Sequence, residues 1–166
     1  SSDGKYIIAG VADYTAILWD AESGKELRKY KNAGSTCTSC VCEAILTSDN
    51  KYVINTSDDS LKVFDTESGK LVRSIAGQGG SPEGLAISSD GKFVGAIEYG
   101  VAQIWNLASG KLLSKSGDYS ERKVVSLALS PDGKELLAGN EKRTADLIVT
   151  ASGKTSMVLK GYLNQV

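Results

Sequence analysis

Three cysteines, Cys37, Cys40 and Cys42, fall within six residues and are the only cysteines in the chain. Three thiolates could begin a metal site. Zinc takes four ligands, however, and the sequence contains no histidine, so the fourth would be a carboxylate such as Glu43 or a cysteine from another chain. Cys37 and Cys40 have the spacing of a redox pair without the helix N-terminus that lowers a thiol's pKa. Cys40 and Cys42 enter a strand at i and i+2, about 6.6 Å apart, near the upper limit for a disulfide. Ordinary free thiols in a reducing compartment fit best; a Cys37–Cys40 disulfide and a metal or redox module on the Cys37–Cys42 loop are the alternatives. The lack of histidine also removes the commonest general base and the Ser-His-Asp and Cys-His arrangements. The recurring aspartates Asp3, Asp49, Asp90 and Asp132 each precede a glycine or asparagine, which is turn chemistry rather than an acid cluster. No catalytic, cofactor-binding or metal-binding residue is therefore expected, and no cofactor.

The charge balance narrows the partners. Over 166 residues, 19 basic side chains stand against 20 acidic ones, for a net charge of -1. That argues against a nucleic-acid or membrane footprint. No apolar run approaches the roughly 20 residues of a membrane span. The opening Ser-Ser-Asp-Gly-Lys lacks both a methionine and signal-peptide character, and reads as an excerpt of a longer chain.

The elements that carry these residues are repeats. Ser2-Asp3-Gly4-Lys5 recurs as Ser48-Asp49-Asn50-Lys51, Ser89-Asp90-Gly91-Lys92 and Asp132-Gly133-Lys134, at intervals of 46, 41 and 42 residues. A Ser-Gly-Lys triplet keeps the same period, with glycines at 24, 69, 110 and 153. Intervals near 40 to 45 residues suit four-stranded units. In each unit the Asp-Gly turn opens a short apolar strand b, such as Tyr52-Val53-Ile54. A polar turn leads to strand c, and Ser-Gly-Lys opens strand d. Strand a precedes the Asp-Gly turn and is present three times, as Glu43–Leu46, Gly84–Ile87 and Ser126–Leu129. The units cover approximately 1–33, 41–76, 83–117 and 124–160 of a segment spanning 1–166. Helical periodicity is absent, so the chain reads as all-β.

The strand c endings Trp19-Asp20, Phe64-Asp65 and Trp105-Asn106, with the Asp-Gly-Lys turns, make the chain resemble the WD-repeat family of β-propellers. An aspartate six residues before the aromatic, Asp13 and Asp58, extends the match to two units; the third has Tyr99 there, and the fourth has Ile148 in place of the aromatic. The family's Gly-His pair is missing, so its Asp-His-Ser/Thr-Trp network cannot form, and Asp13 and Asp58 are expected to bond amides of their own turns. The resemblance implies about four four-stranded antiparallel blades, part of a larger seven- or eight-bladed propeller. Trp19, Phe64 and Trp105 are then structural packing between blades rather than an aromatic cage.

In such a meander the a–b and c–d turns share one edge. Their lysines, from Lys5 to Lys154, are offset by Asp3, Asp49, Asp90, Asp132, Glu22 and Glu67, so a solvated rim is expected. The opposite edge carries Tyr14, Tyr99, Tyr119, Arg122 and Arg143, residue types that dominate binding hot spots. The expected function is a non-catalytic protein–protein interaction scaffold in the cytoplasm, engaging protein or peptide partners within a larger chain or multi-subunit assembly, without nucleic acid or membrane. A propeller enzyme or cofactor-binding domain is the competing class.

Overall fold

In a computed structural model, residues 1–11, 15–31, 43–57, 59–77, 82–116 and 124–161 are described. Their regular structure is fifteen β-strands. The first antiparallel sheet joins β1 (Tyr6–Val11), β2 (Thr15–Asp20) and β3 (Glu26–Lys31). The second has β4 (Ala44–Leu46), β5 (Tyr52–Thr56), β6 (Ser60–Asp65) and β7 (Leu71–Ala76), and the third β8 (Glu83–Ile87), β9 (Phe93–Glu98), β10 (Val101–Asn106) and β11 (Leu112–Ser116). The fourth has β12 (Val124–Leu129), β13 (Glu135–Asn140), β14 (Thr144–Val149) and β15 (Lys154–Lys160). All are meanders of sequential strands, three of four strands and one lacking strand a, as the repeat requires. This is the all-β architecture of WD-like propeller blades. The chain divides into two compact units, residues 1–85 and 86–166.

Two side-chain devices in the turns start and stop the strands. The hydroxyls of Thr47, Ser88 and Ser130 each accept the amide of the residue five positions on, at 2.9, 3.0 and 3.0 Å. Each also donates to the aspartate two positions on, at 2.6, 2.7 and 2.9 Å. At the c–d turn the side chains of Asp20, Asp65 and Asn106 accept the amides of Ser23, Ser68 and Ser109. This gives the residue after the aromatic its own role: it closes the turn as an Asx cap. In the fourth sheet Val149 occupies that position and has no side-chain acceptor, so the Ser152 amide donates instead to the Val149 carbonyl, at 3.1 Å.

Within residues 1–85, Ala16, Leu18 and Tyr30 of the first sheet pack on Leu46, Val53 and Phe64 of the second. Leu18 faces this core, so Trp19, one residue on, faces the other way, as strand geometry demands. Trp19 is only half-buried, in contrast to the packing role expected of it. The reason is one of layers: its side of the first sheet has no second sheet laid over it within this unit. Tyr30 bridges the two sheets, its ring centroid 5.7 Å from that of Phe64 and its hydroxyl donating to the Thr66 carbonyl at 2.8 Å. Burial pushes that phenol up to about 12.

Within residues 86–166 the same contact recurs with different residues. Ala102 and Ile104 meet Leu136, Ala138 and Ile148, so an aliphatic fills the slot that Phe64 fills in the first unit. Gly95 permits this approach, since a Cβ there would lie 3.3 Å from Leu127 Cδ1. All four c–d pairings also shift register at the aromatic position, at Leu18/Trp19, Val63/Phe64, Ile104/Trp105 and Leu147/Ile148. Such a bulge strengthens the local twist of the outer strand.

Candidate functional site

The b–c edge is described best in residues 86–166. Glu98 pairs with Val101, leaving Tyr99 and Gly100 as a two-residue hairpin turn, with φ of 50° and 75°. Two positive φ values define a type I′ turn, whose first position favours asparagine, aspartate or glycine over a bulky side chain. Tyr99 nevertheless occupies it, 61% exposed. The turn is anchored from below by the Val124 amide, which donates to the Gly100 carbonyl at 2.8 Å.

The next b–c turn is organised by Asn140. Its side-chain oxygen accepts the amides of Lys142 and Thr144, and its side-chain nitrogen donates to the Thr144 hydroxyl at 2.7 Å. These bonds hold Glu141, Lys142 and Arg143 out to solvent, with Arg143 at φ 63°. Tyr99 and Arg143 are thus both exposed side chains on left-handed backbone in adjacent sheets. The sequence places Asn140 on this edge, but its role in organising the turn comes from the structure; an asparagine closing strand b is the available signal. Tyr14, Tyr119 and Arg122, together with Asp13 and Asp58, lie outside the described residues, as do Cys37, Cys40 and Cys42.

The turn edge is chemically different. Lys5, Lys92 and Lys134 pair with Asp3, Asp90 and Asp132 at 3.4, 2.9 and 3.1 Å, so each lysine meets an acid of its own turn. Hydrogen bonds hold these carboxyls down: the Ser88 hydroxyl above all brings Asp90 to about 2, the Lys134 amide above all brings Asp132 to about 2, and the Ser1 hydroxyl draws Asp3 well below its usual range. Carboxyls so acidic are poor proton carriers near neutral pH. Between the first two sheets this edge has a cleft of about 900 Å³, where Lys5, Arg28 and Lys51 face Asp49, Asp65 and Glu67. Its mixed charge matches the solvated rim read from the sequence.

A further polar pair escaped the sequence reading. Gln103 and Glu98 are both fully buried, and the Gln103 amide donates to the Glu98 carboxylate at 2.6 Å. Nothing in the spacing of these residues marks them. Among the described residues, no group of three His, Cys, Asp or Glu side chains is placed so as to hold a metal ion.

Fold, turn chemistry and the strand c aromatics are those of WD-like propeller blades, and the proteins this chain is similar to include a WD repeat-containing protein. A U3 small nucleolar RNA-associated protein 15 homolog from Xenopus laevis is 29% identical over 163 residues, covering 93% of this chain and 29% of that protein. Autophagy-related protein 16 of Arabidopsis thaliana is 25% identical over 166 residues, covering 99% and 32%. WD repeat-containing protein 55 of the same plant is 23% identical over 145 residues, covering 86% and 39%. The chain therefore spans less than two fifths of the length of these relatives. No protein-family model matches it.

One expectation is corrected here. A cytoplasmic location does not stand, because the Xenopus relatives are named for association with a small nucleolar RNA. The physical reason is that free thiols indicate only a reducing compartment, and the nucleus is as reducing as the cytosol.

Proposed function

We propose that this chain is a non-catalytic interaction module that presents its b–c edge to a protein or peptide, with Tyr99 and Arg143 as anchors and with Tyr14, Tyr119 and Arg122, on sequence grounds alone, as further partner-binding residues. The observation that carries the reading is Tyr99. An exposed aromatic at φ 50° costs about 1 kcal/mol or more of backbone strain, a cost tolerated where a side chain must be held out for use. Arg143, held by the Asn140 turn, adds a guanidinium of the kind enriched in hot spots. The names of relatives, among them a small nucleolar RNA-associated protein, support association with other macromolecules. Three turn-edge lysines, Lys5, Lys92 and Lys134, are paired with acids of their own turns, which weakens any cationic stripe for a phosphate backbone and favours a protein over a nucleic acid.

The test is quantitative affinity capture from cell extract, before and after ribonuclease treatment, using the chain and its variants. Tyr99→Ala and Arg143→Ala are each expected to weaken capture roughly 30-fold, the loss typical of a hot-spot residue, without lowering the melting temperature. Lys92→Ala, on the turn edge, is expected to leave capture unchanged. Equal losses from both edges, or capture abolished by ribonuclease, would remove this reading.

A further inference from the structure

Asp90-Gly91-Lys92 and Asp132-Gly133-Lys134 are the same three residues in the same unit, yet their surroundings differ. Among aspartyl bonds, those followed by glycine isomerise most readily, because no side chain hinders attack by the glycine nitrogen. The glycine amide nitrogen attacks the aspartate side-chain carboxyl carbon, an N–C bond forms, a C–O bond breaks and water leaves, producing a succinimide. Water then adds back at either carbonyl, giving aspartate or isoaspartate, in which the backbone runs through the side chain.

In both turns the reacting groups are engaged elsewhere. The Gly91 and Gly133 amides donate to the Ser88 and Ser130 carbonyls, each at 2.9 Å. The attacked carboxylates are tied to the Ser88 or Ser130 hydroxyl and to the Lys92 or Lys134 amide, at 3.0 and 3.1 Å for the latter. Cyclisation therefore requires the turn to open. Opening is governed by access of water to the serine. Ser88 is 0% exposed, whereas Ser130 is only half-buried. The Asp90 side chain is 31% exposed and that of Asp132 56%. The Asp90 amide is tied further, to the Pro131 carbonyl at 3.3 Å.

We propose that the serine hydroxyls act as chemical guards of these turns, and that of the two Asp132–Gly133, behind the more exposed guard, accumulates isoaspartate faster. The change is felt beyond the turn. Gly133 lies against the Phe93 ring so closely that even a Cβ would overlap it, and Phe93 packs on the core of Ile97, Ile104 and Leu136. An extra backbone methylene at Asp132 shifts that contact.

The full chain is aged at neutral pH and 37 °C, and isoaspartate is located by peptide mapping with fragmentation that distinguishes the isomers. In the folded chain Asp132 is expected to convert about fivefold faster than Asp90, the factor associated with one ordinary hydrogen bond. In urea above the unfolding midpoint the two sites are expected to convert at equal rates. Ser130→Ala is expected to accelerate Asp132 about fivefold further and leave Asp90 unchanged, while Ser130→Thr, the residue type Thr47 supplies in the second sheet, keeps the original rate. Equal rates at the two sites in the folded chain would overturn the proposal, as would Ser130→Ala accelerating both sites alike.

Discussion

Trp105→Ala tests the packing logic most directly. Trp105 is 1% exposed and the largest fully buried side chain in the structure. A buried tryptophan removes about 150 to 250 Å² from water, worth about 4 to 6 kcal/mol at about 25 cal/mol per Å². Partial collapse of the cavity brings the expected loss to about 3 to 5 kcal/mol. Trp19 stands at the same position of the first repeat but is half-buried, so Trp19→Ala is expected to cost about half as much, roughly 2 kcal/mol. Trp105→Phe, which installs the ring Phe64 provides in the second repeat, is expected to lose no more than about 2 kcal/mol. The assay is urea unfolding followed by circular dichroism, since these two residues are the only tryptophans and fluorescence would change with the substitution. If the two compact units melt separately, the Trp105 loss falls on the transition of residues 86–166. A Trp105→Ala loss below about 1 kcal/mol, or one equal to that of Trp19→Ala, would refute the assignment of this slot as core.

Acid should loosen the turns before it reaches the sheets. Asp90 and Asp132 are lowered from 3.8 to about 2, so their contribution is present above the unfolded value and is lost as pH falls from about 4 towards 2. Carboxyl NMR titration checks this, and midpoints near the ordinary aspartate value would contradict the hydrogen bonds described. Glycine substitutions separate backbone strain from crowding. Gly91 and Gly133 share positive φ, 68° and 66°, but only Gly133 has the Phe93 ring against it. Gly91→Ala is expected to cost about 1 kcal/mol in thermal or urea unfolding, and Gly133→Ala clearly more. Equal costs would show that the ring yields freely.

Much of this architecture is written locally. Glycine at positive φ, aspartate beside it and two-residue alternation in the strands are properties of short stretches, so period, strand succession and the place of the aromatic slot follow from the sequence alone. The missing first strand a was legible for the same reason. What the sequence could not say is what lies across each face. Trp19 and Trp105 occupy equivalent positions, yet one is half-buried and the other enclosed, a difference that no local residue pattern marks. The bulge at every strand c aromatic, the buried Gln103–Glu98 bond and the left-handed backbone under Tyr99 likewise depend on register and packing. Ser88 and Ser130 read alike in sequence and share the same hydrogen bonds, but only the tertiary structure seals one from water and leaves the other within its reach.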